Sequence, residues 1–252
     1  MTDCVNVLGV RVDVIDDKGL NDRIAEVIDR GEHTYFANVN IHAVNIAQRD
    51  QAFRAFLNEA PLVYCDGEGV RLGARILGTV LPPRIVLTYW IWELCAMCEQ
   101  RGYSIFLLGG REQIVDKAAE NLLRTYPRLN IVGRQHGYFN KQGEESDSVI
   151  RRVNAARPNV LFVCFGMPLQ EHWVRENIVR LKVNMILFGG STIDYTAHAK
   201  RVAPVWMRSS GLEWLFRMFQ EPRRLWRRYL IGNPLFIGRV IIQRVRRSGS
   251  AV

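Results

Sequence analysis

The chain has 252 residues, the length of one large domain or two small ones. Its 48% hydrophobic and 23% charged content excludes both a disordered chain and a small fold held by disulfides. A net charge of +9 arises from 34 Lys and Arg against 25 Asp and Glu, and nearly all of the excess sits at one end, where ten Arg between Trp206 and Arg247 face only two acids, Glu213 and Glu221.

Met1 to Val14 contains Asp3 and no apolar core, so no secretory signal is expected there. Short β-branched runs then alternate with stretches of helical period. The strands are expected at Val5–Val14, Thr34–Val39, Leu62–Cys65, Ser104–Leu108, Asn130–Val132, Val160–Cys164 and Met185–Phe188. Helices are expected at Ala43–Leu57, Trp90–Gln100, Gln113–Tyr126, Ser146–Ala156 and Leu169–Leu181. This alternation predicts an α/β domain, Rossmann-like, with a mostly parallel sheet flanked by helices. It is expected over residues 1–205, followed by an Arg- and aromatic-rich helical appendage over 206–252, broken at Pro222 and Pro234. The most apolar stretch, Tyr229 to Ile242, is interrupted by Gly232, Asn233, Pro234 and Arg239 and is too short to span a membrane. Five cysteines, an odd number, read as free thiols in a reducing cytosol, and the Cys95/Cys98 pair reads as two core side chains one helical turn apart.

In an open α/β sheet, ligands bind outside the carboxyl ends of the strands. The residues there are Asn38 and Asn40, Asp66-Gly67, Gly109-Gly110, Phe165-Gly166 and Gly189-Gly190-Ser191-Thr192. Four glycine-ended strands at one edge let backbone N–H groups approach a phosphate, which favours a nucleotide or diphosphate ligand. Neither GxGxxG nor GxxxxGK[ST] is present, which counts against hydride transfer and ATP hydrolysis. Asp66 has three readings: a base that takes a proton from a hydroxyl nucleophile, a helix N-cap, or with Glu68 a metal-binding DxE. No second acidic cluster supports the metal, and no histidine pair has ligand spacing, so none is expected. Asn38, Asn40 and His42, spaced by two, share a face in extended backbone and suit hydrogen bonding to sugar hydroxyls.

Several stretches in order along the chain resemble the WecG/TagA/CpsF glycosyltransferases: Asn38-x-Asn40, Tyr64-Cys65-Asp66-Gly67-Glu68-Gly69, Leu107-Leu108-Gly109-Gly110, Gly137-Tyr138-Phe139 and Phe165-Gly166-Met167-Pro168-Leu169-Gln170-Glu171. The most specific are Ala203-Pro204-x-Trp206, Gly211-Leu212-Glu213-Trp214-Leu215-Phe216-Arg217 and Glu221-Pro222-x-Arg224. The resemblance implies an inverting, metal-independent transfer of a hexose or N-acetylhexosamine, or its uronic acid, from a UDP-sugar to a polyprenyl-diphosphate-linked sugar in surface polysaccharide synthesis. It implies Asp66 as general base, Asn40 and Arg84 on the donor sugar and diphosphate, and Gln170 near the sugar. Arg217, Arg224 and Arg227 would belong to an appendage that closes over the site. Asn38, Gly109, Gly110, Gly189, Gly190 and Asp194 complete the expected substrate-binding set. The chain departs from the family pattern at Asn38, Tyr89, His198 and Val202, close to the expected donor and acceptor contacts.

The tail sets its Arg among Trp206, Trp214, Trp226, Phe219, Tyr229 and Phe236, a composition that suits the interface of an anionic membrane. The expected place of the protein is therefore peripheral, on the cytoplasmic face of a bacterial plasma membrane. RNA binding, plain packing of a last helix, and a UDP-sugar-binding protein without turnover are the alternatives. No nucleic-acid partner is expected, and a homo-oligomer is left open.

Overall fold

A computed structural model describes residues 3–209 and 211–249; position 210 and the last three residues of the expected appendage lie outside the described residues. The chain opens with a hairpin of β1 (Cys4–Val7) and β2 (Val10–Asp13), followed by α1 (Asp17–Asp29). The sheet-forming part runs β3 (Thr34–Val39), α2 (Ile41–Ala47), α3 (Gln51–Glu59), β4 (Leu62–Cys65), α4 (Glu68–Ile76) and α5 (Leu87–Arg101). It continues through β5 (Ser104–Gly109), α6 (Glu112–Thr125), β6 (Asn130–Gln135), α7 (Gly143–Ala156), β7 (Val160–Cys164), α8 (Leu169–Asn177), β8 (Met185–Phe188) and α9 (Thr192–Thr196). The C-terminal segment is helical: α10 (Val205–Ser209), α11 (Glu213–Gln220), α12 (Pro222–Trp226), a π-helical turn over Arg227–Ile231, and α13 (Gly232–Gly249).

Six strands form one sheet in the order β4-β3-β8-β7-β5-β6, and every pair is parallel. Strands buried on both faces must be apolar on both, which is why β4, β5, β7 and β8 read as unbroken apolar runs. Alternate residues serve separate cores. Phe36, Leu62, Ile105, Phe162 and Leu187 pack with α1, α5 and α6. Ala37, Val63, Phe106, Val163 and Phe188 pack with α2, α3, α7 and α8, and there they meet Phe236 and Val240 of α13. Cys95 and Cys98 are fully buried in α5, and all five cysteines are free.

Three expectations are corrected. Val5–Val14 is a two-stranded hairpin, because Leu8 and Gly9 take positive φ (54° and 84°) and reverse the chain. The expected helix Ala43–Leu57 is two helices, split where the Asp50 carboxylate accepts from Phe53 N–H and caps α3. Pro234 does not break the tail; it lies in the first turn of α13, just after the π-helical turn. A proline has no N–H for the carbonyl four residues back, and a widened turn absorbs that loss without ending the helix.

β5 leads to β6 on one side while its neighbour β7 leads to β8 on the other, so the sheet opens a crevice at this switch point. The backbone is tight there. A Cβ at Gly109, whose φ is +152°, would sit 2.4 Å from the Cys164 carbonyl oxygen. Gly109→Ala is expected to lower the unfolding free energy by about 2–3 kcal/mol, from overpacking plus backbone strain. Gly238 in α13 has open space around it, and Gly238→Ala is expected to add up to about 1 kcal/mol of helix propensity. Urea denaturation of the two variants checks both signs.

Candidate active site

At the carboxyl ends of the strands lies a cleft of about 1020 Å³, roofed by the C-terminal helices. Asp66 sits where β4 ends, partly open to the cleft. Its backbone N–H donates to Val39 O, which holds it against β3. The N-cap of α4 is Gly67, with no side-chain cap bond, so the Asp66 carboxylate is not used as a cap. Asn38 and Asn40 each turn Nδ2 toward Asp66 Oδ2, at 3.5 and 3.4 Å. Asn40 has a second task, since its Oδ1 accepts from His42 and Ala43 N–H and caps α2. One amide thereby fixes the start of a helix and faces the carboxylate. Burial raises the Asp66 pKa above the ordinary carboxylate value, while Arg217, Arg84 and the Asn40 bond pull it down.

Two guanidiniums flank this carboxylate from different parts of the chain. Arg84 comes from the loop before α5 and Arg217 from α11. Both bind a single buried carboxylate, Glu213: Arg84 Nη2 to Oε2 at 2.7 Å and Arg217 Nη2 to Oε1 at 3.0 Å. Arg217 also lies over the Tyr195 ring, 5.1 Å from its centroid. Arg228 reaches the same cleft from the π-helical turn. Burial together with Arg228 and Arg224 pushes the His42 pKa down to about 4, so the imidazole in the cleft is neutral at physiological pH. Asp194 is joined through Lys200 Nζ (3.4 Å) to Glu221 (3.0 Å), which ties α9 to the tail.

The far wall is backbone. Gly110, Gly166, Gly189 and Gly190 line it, with Gly110, Gly166 and Gly190 at positive φ. Behind it Gln170 is fully buried, and its Oε1 accepts from both Gly166 N–H (3.1 Å) and Gly190 N–H (3.2 Å). Its Nε2 donates to Glu171 Oε1 at 2.8 Å, which fixes the orientation of the amide. At the rim, Lys141 Nζ donates to the Gly137 and Phe139 carbonyls (2.7 and 2.8 Å) and lies 3.6 Å from the Phe139 ring centroid.

The cleft therefore gathers Asn38, Asn40, Asp66, Arg84, Gly110, Gly189, Gly190, Asp194, Arg217 and Arg224 among its lining residues. Gly109, Gln170 and Arg227 are not among them. Gly109 packs on Cys164, Gln170 clamps the glycine loops from behind, and Arg227 lies over the Trp226 ring, 5.2 Å from its centroid. Sequence reasoning did not find Glu213 or Arg228 as site residues. Glu213 carried one usable signal, as one of only two acids in a strongly basic tail. Among the described residues, no cluster of three His, Cys, Asp or Glu side chains forms a candidate metal centre.

A model of the glycosyl transferase WecG/TagA/CpsF family matches residues 5–250. The chain belongs to this family. It is a glycosyltransferase. Among its relatives are two proteins named N-acetylglucosaminyldiphosphoundecaprenol N-acetyl-beta-D-mannosaminyltransferase, from Staphylococcus aureus strains MW2 and NCTC 8325 / PS 47. Each is 26% identical over 246 residues, covering 94% of this chain and 91% of the relative. The family match spans the sheet and the tail together, the two parts from which the cleft is built.

Glu171 supplies a test of the clamp behind the cleft. It is buried, its Oε2 has no hydrogen-bond partner, and burial pushes its pKa up to about 7. A carboxyl whose folded pKa is raised favours the native state when protonated, and that stability is lost as pH rises from about 4.5 to 7. Glu171→Gln keeps an acceptor for Gln170 and cannot ionise. It is expected to be more stable than the parent at pH 8 by up to about 3 kcal/mol, with little difference at pH 4.5. Denaturation at the two pH values checks this.

Proposed function

We propose that this glycosyltransferase moves a sugar from a UDP-sugar to the terminal sugar of a polyprenyl-diphosphate-linked acceptor, with inversion, through Asp66 as general base. The observation that carries this reading is the setting of Asp66: a carboxylate not spent on capping, bracketed by two amides and flanked by two guanidiniums. The acceptor hydroxyl attacks the anomeric carbon while the bond to the UDP oxygen breaks, and Asp66 takes the hydroxyl proton. Desolvation strengthens a carboxylate as a base, and the nearby Arg84 and Arg217 favour its ionised form.

The departing UDP gains negative charge on its β-phosphate. Arg84, Arg217, Arg224 and Arg228 form the set of donors that would stabilise it without a divalent ion. The amides of Asn38 and Asn40 suit the hydroxyls or acetamido group of the donor sugar. The naming of the relatives as mannosaminyltransferases acting on N-acetylglucosaminyl-diphosphoundecaprenol supports an N-acetylhexosamine donor and that class of acceptor. An acceptor buried in a bilayer by its tail calls for a peripheral enzyme at the membrane surface, and the Arg-rich tail with its exposed Trp206, Phe219 and Trp226 suits that place. Among the described residues no helix is long and apolar enough to cross a membrane.

UDP release from UDP-N-acetylmannosamine, its uronate and UDP-glucose, with the diphosphate-linked acceptor and excess EDTA, tests the reading. Acceptor-dependent release from one donor is expected; release only after a divalent ion is restored would overturn the metal-free assignment. Asp66→Asn is expected to lower kcat by about 10²–10⁴-fold with near-normal UDP binding. In the parent enzyme kcat should fall as the medium is acidified through the raised pKa of Asp66. An Asp66→Asn enzyme with parental turnover would remove the base from the mechanism.

A further inference from the structure

A second concavity lies along α13, apart from the cleft. Residues of an α-helix turn about 100° each, so Phe236, Val240, Gln243 and Arg247 fall on one face of α13. That face is the attached one. Phe236 and Val240 are fully buried, with Gly73 of α4 leaving room for the Phe236 ring. Gln243 Oε1 accepts from Leu8 N–H (2.9 Å) and its Nε2 donates to Asn6 O (2.9 Å), which fastens the β1–β2 turn to the helix. Arg247 Nη2 donates to the same Asn6 carbonyl at 3.1 Å.

About a fifth of a turn further round stand Arg239 and Arg246. With Arg247, Gln48, Ile242 and the Leu8–Gly9 turn they line a groove of about 630 Å³, and among the described residues no acidic one lines it. The Nη1 of Arg239 is sealed from solvent without an acceptor. A guanidinium nitrogen in that state lacks the acceptor that would offset its desolvation. Next round the helix comes an apolar stripe, Ile231, Leu235, Ile242 and Val245, with exposures of 54, 37, 52 and 65%. Gly238 on the same stripe adds no side chain, so the helix backbone itself can approach a surface there.

Guanidiniums at one level and an apolar stripe just beyond them match a phospholipid monolayer in cross-section, with phosphates above and acyl chains below. We propose that the groove between α13 and the β1–β2 turn is a headgroup site for an anionic phospholipid, its phosphodiester held by Arg239, Arg246 and Arg247. The inference rests on the membrane-surface reading given above, and it goes further by placing one lipid in one groove that shares no lining residue with the cleft.

The test is sedimentation of the full chain with phosphatidylcholine vesicles, with and without phosphatidylglycerol, at moderate salt. Arg239→Gln and, at the rim, Arg246→Gln are compared with Arg223→Gln on the exposed side of α12. Loss of one ordinary charge near an anionic surface lowers partitioning by about fivefold. The two groove variants are expected to lose well over tenfold while Arg223→Gln loses no more than that ordinary amount, with unchanged thermal unfolding in all three. Monomeric dihexanoyl-phosphatidylglycerol should give saturable shifts in the NMR spectrum of the parent and none in Arg239→Gln, and dihexanoyl-phosphatidylcholine should give none in either.

Equal losses in all three variants would overturn the groove site and leave a diffuse membrane attraction standing. Competition by inorganic phosphate as strong as that by the short-chain lipid would also overturn it, in favour of a free-phosphate site. Parent protein that ignores phosphatidylglycerol vesicles altogether would overturn both the site and the membrane reading.

Discussion

One carboxylate joins the two halves of this site. Glu213 is buried and binds Arg84 with one oxygen and Arg217 with the other, so a residue of the tail links a loop of the sheet domain to its own helix neighbour. Two guanidiniums brought this close to each other out of water would repel, and the Glu213 carboxylate between them offsets that repulsion. That balance exists only with α11 folded onto the cleft. The tail is therefore part of the wall around Asp66 and not a free extension. A diphosphate entering the cleft meets Arg84 and Arg217 already engaged, and it must share or displace the Glu213 carboxylate. The site is arranged around a charge that a ligand phosphate can replace.

The opposite wall obeys a different constraint. At the ends of β5, β7 and β8 the backbones approach so closely that Gly109 and Gly189 admit no side chain. A Cβ on Gly189 would meet Cys164 Sγ at 2.4 Å. Gln170 then locks Gly166 and Gly190 to one oxygen from behind. Loops fixed in this way lose little entropy when a ligand meets them, which is the physical value of a pre-organised wall. The cleft thus combines a rigid glycine wall from the sheet with a charged wall from helices that a ligand can rearrange.

Most of the sheet was legible because strands buried on both faces have to be apolar throughout. Leu62–Cys65, Val160–Cys164 and Met185–Phe188 fall where their composition puts them. Asp66 and the glycine edge were legible for a related reason, since a parallel sheet presents the residues after its strands to a ligand. The hairpin was missed because nothing in Leu8 announces a positive φ, and a turn flanked by Val reads as unbroken strand. Gln170 was placed near the sugar by the family resemblance, whereas its burial depends on where two loops converge and is not visible in the sequence. Arg228 was missed for a purely geometric reason. The π-helical turn over Arg227–Ile231 changes the angular phase of the helix, and the 3.6-residue period assumed for the tail no longer says which of two adjacent arginines faces inward.

That same turn explains how one basic tail serves two surfaces. Before it, Arg217 and Arg224 point to the cleft; within it, Arg228 does so; after it, Arg239 and Arg246 border a separate groove. Pro234 removes the N–H that a regular helix would give to the Leu230 carbonyl, while Asn45 Nδ2 donates to Gly232 O at 2.8 Å and pins the helix to α2 just past the irregularity. The excess charge of the last sixth of the chain is thereby divided between an inner set that lines the cleft and an outer set that borders the groove. A helix with one shift of phase holds the two sets at a fixed separation. In the proposed reaction that separation matters, because the depth at which the protein would rest on a bilayer decides whether the acceptor sugar reaches Asp66.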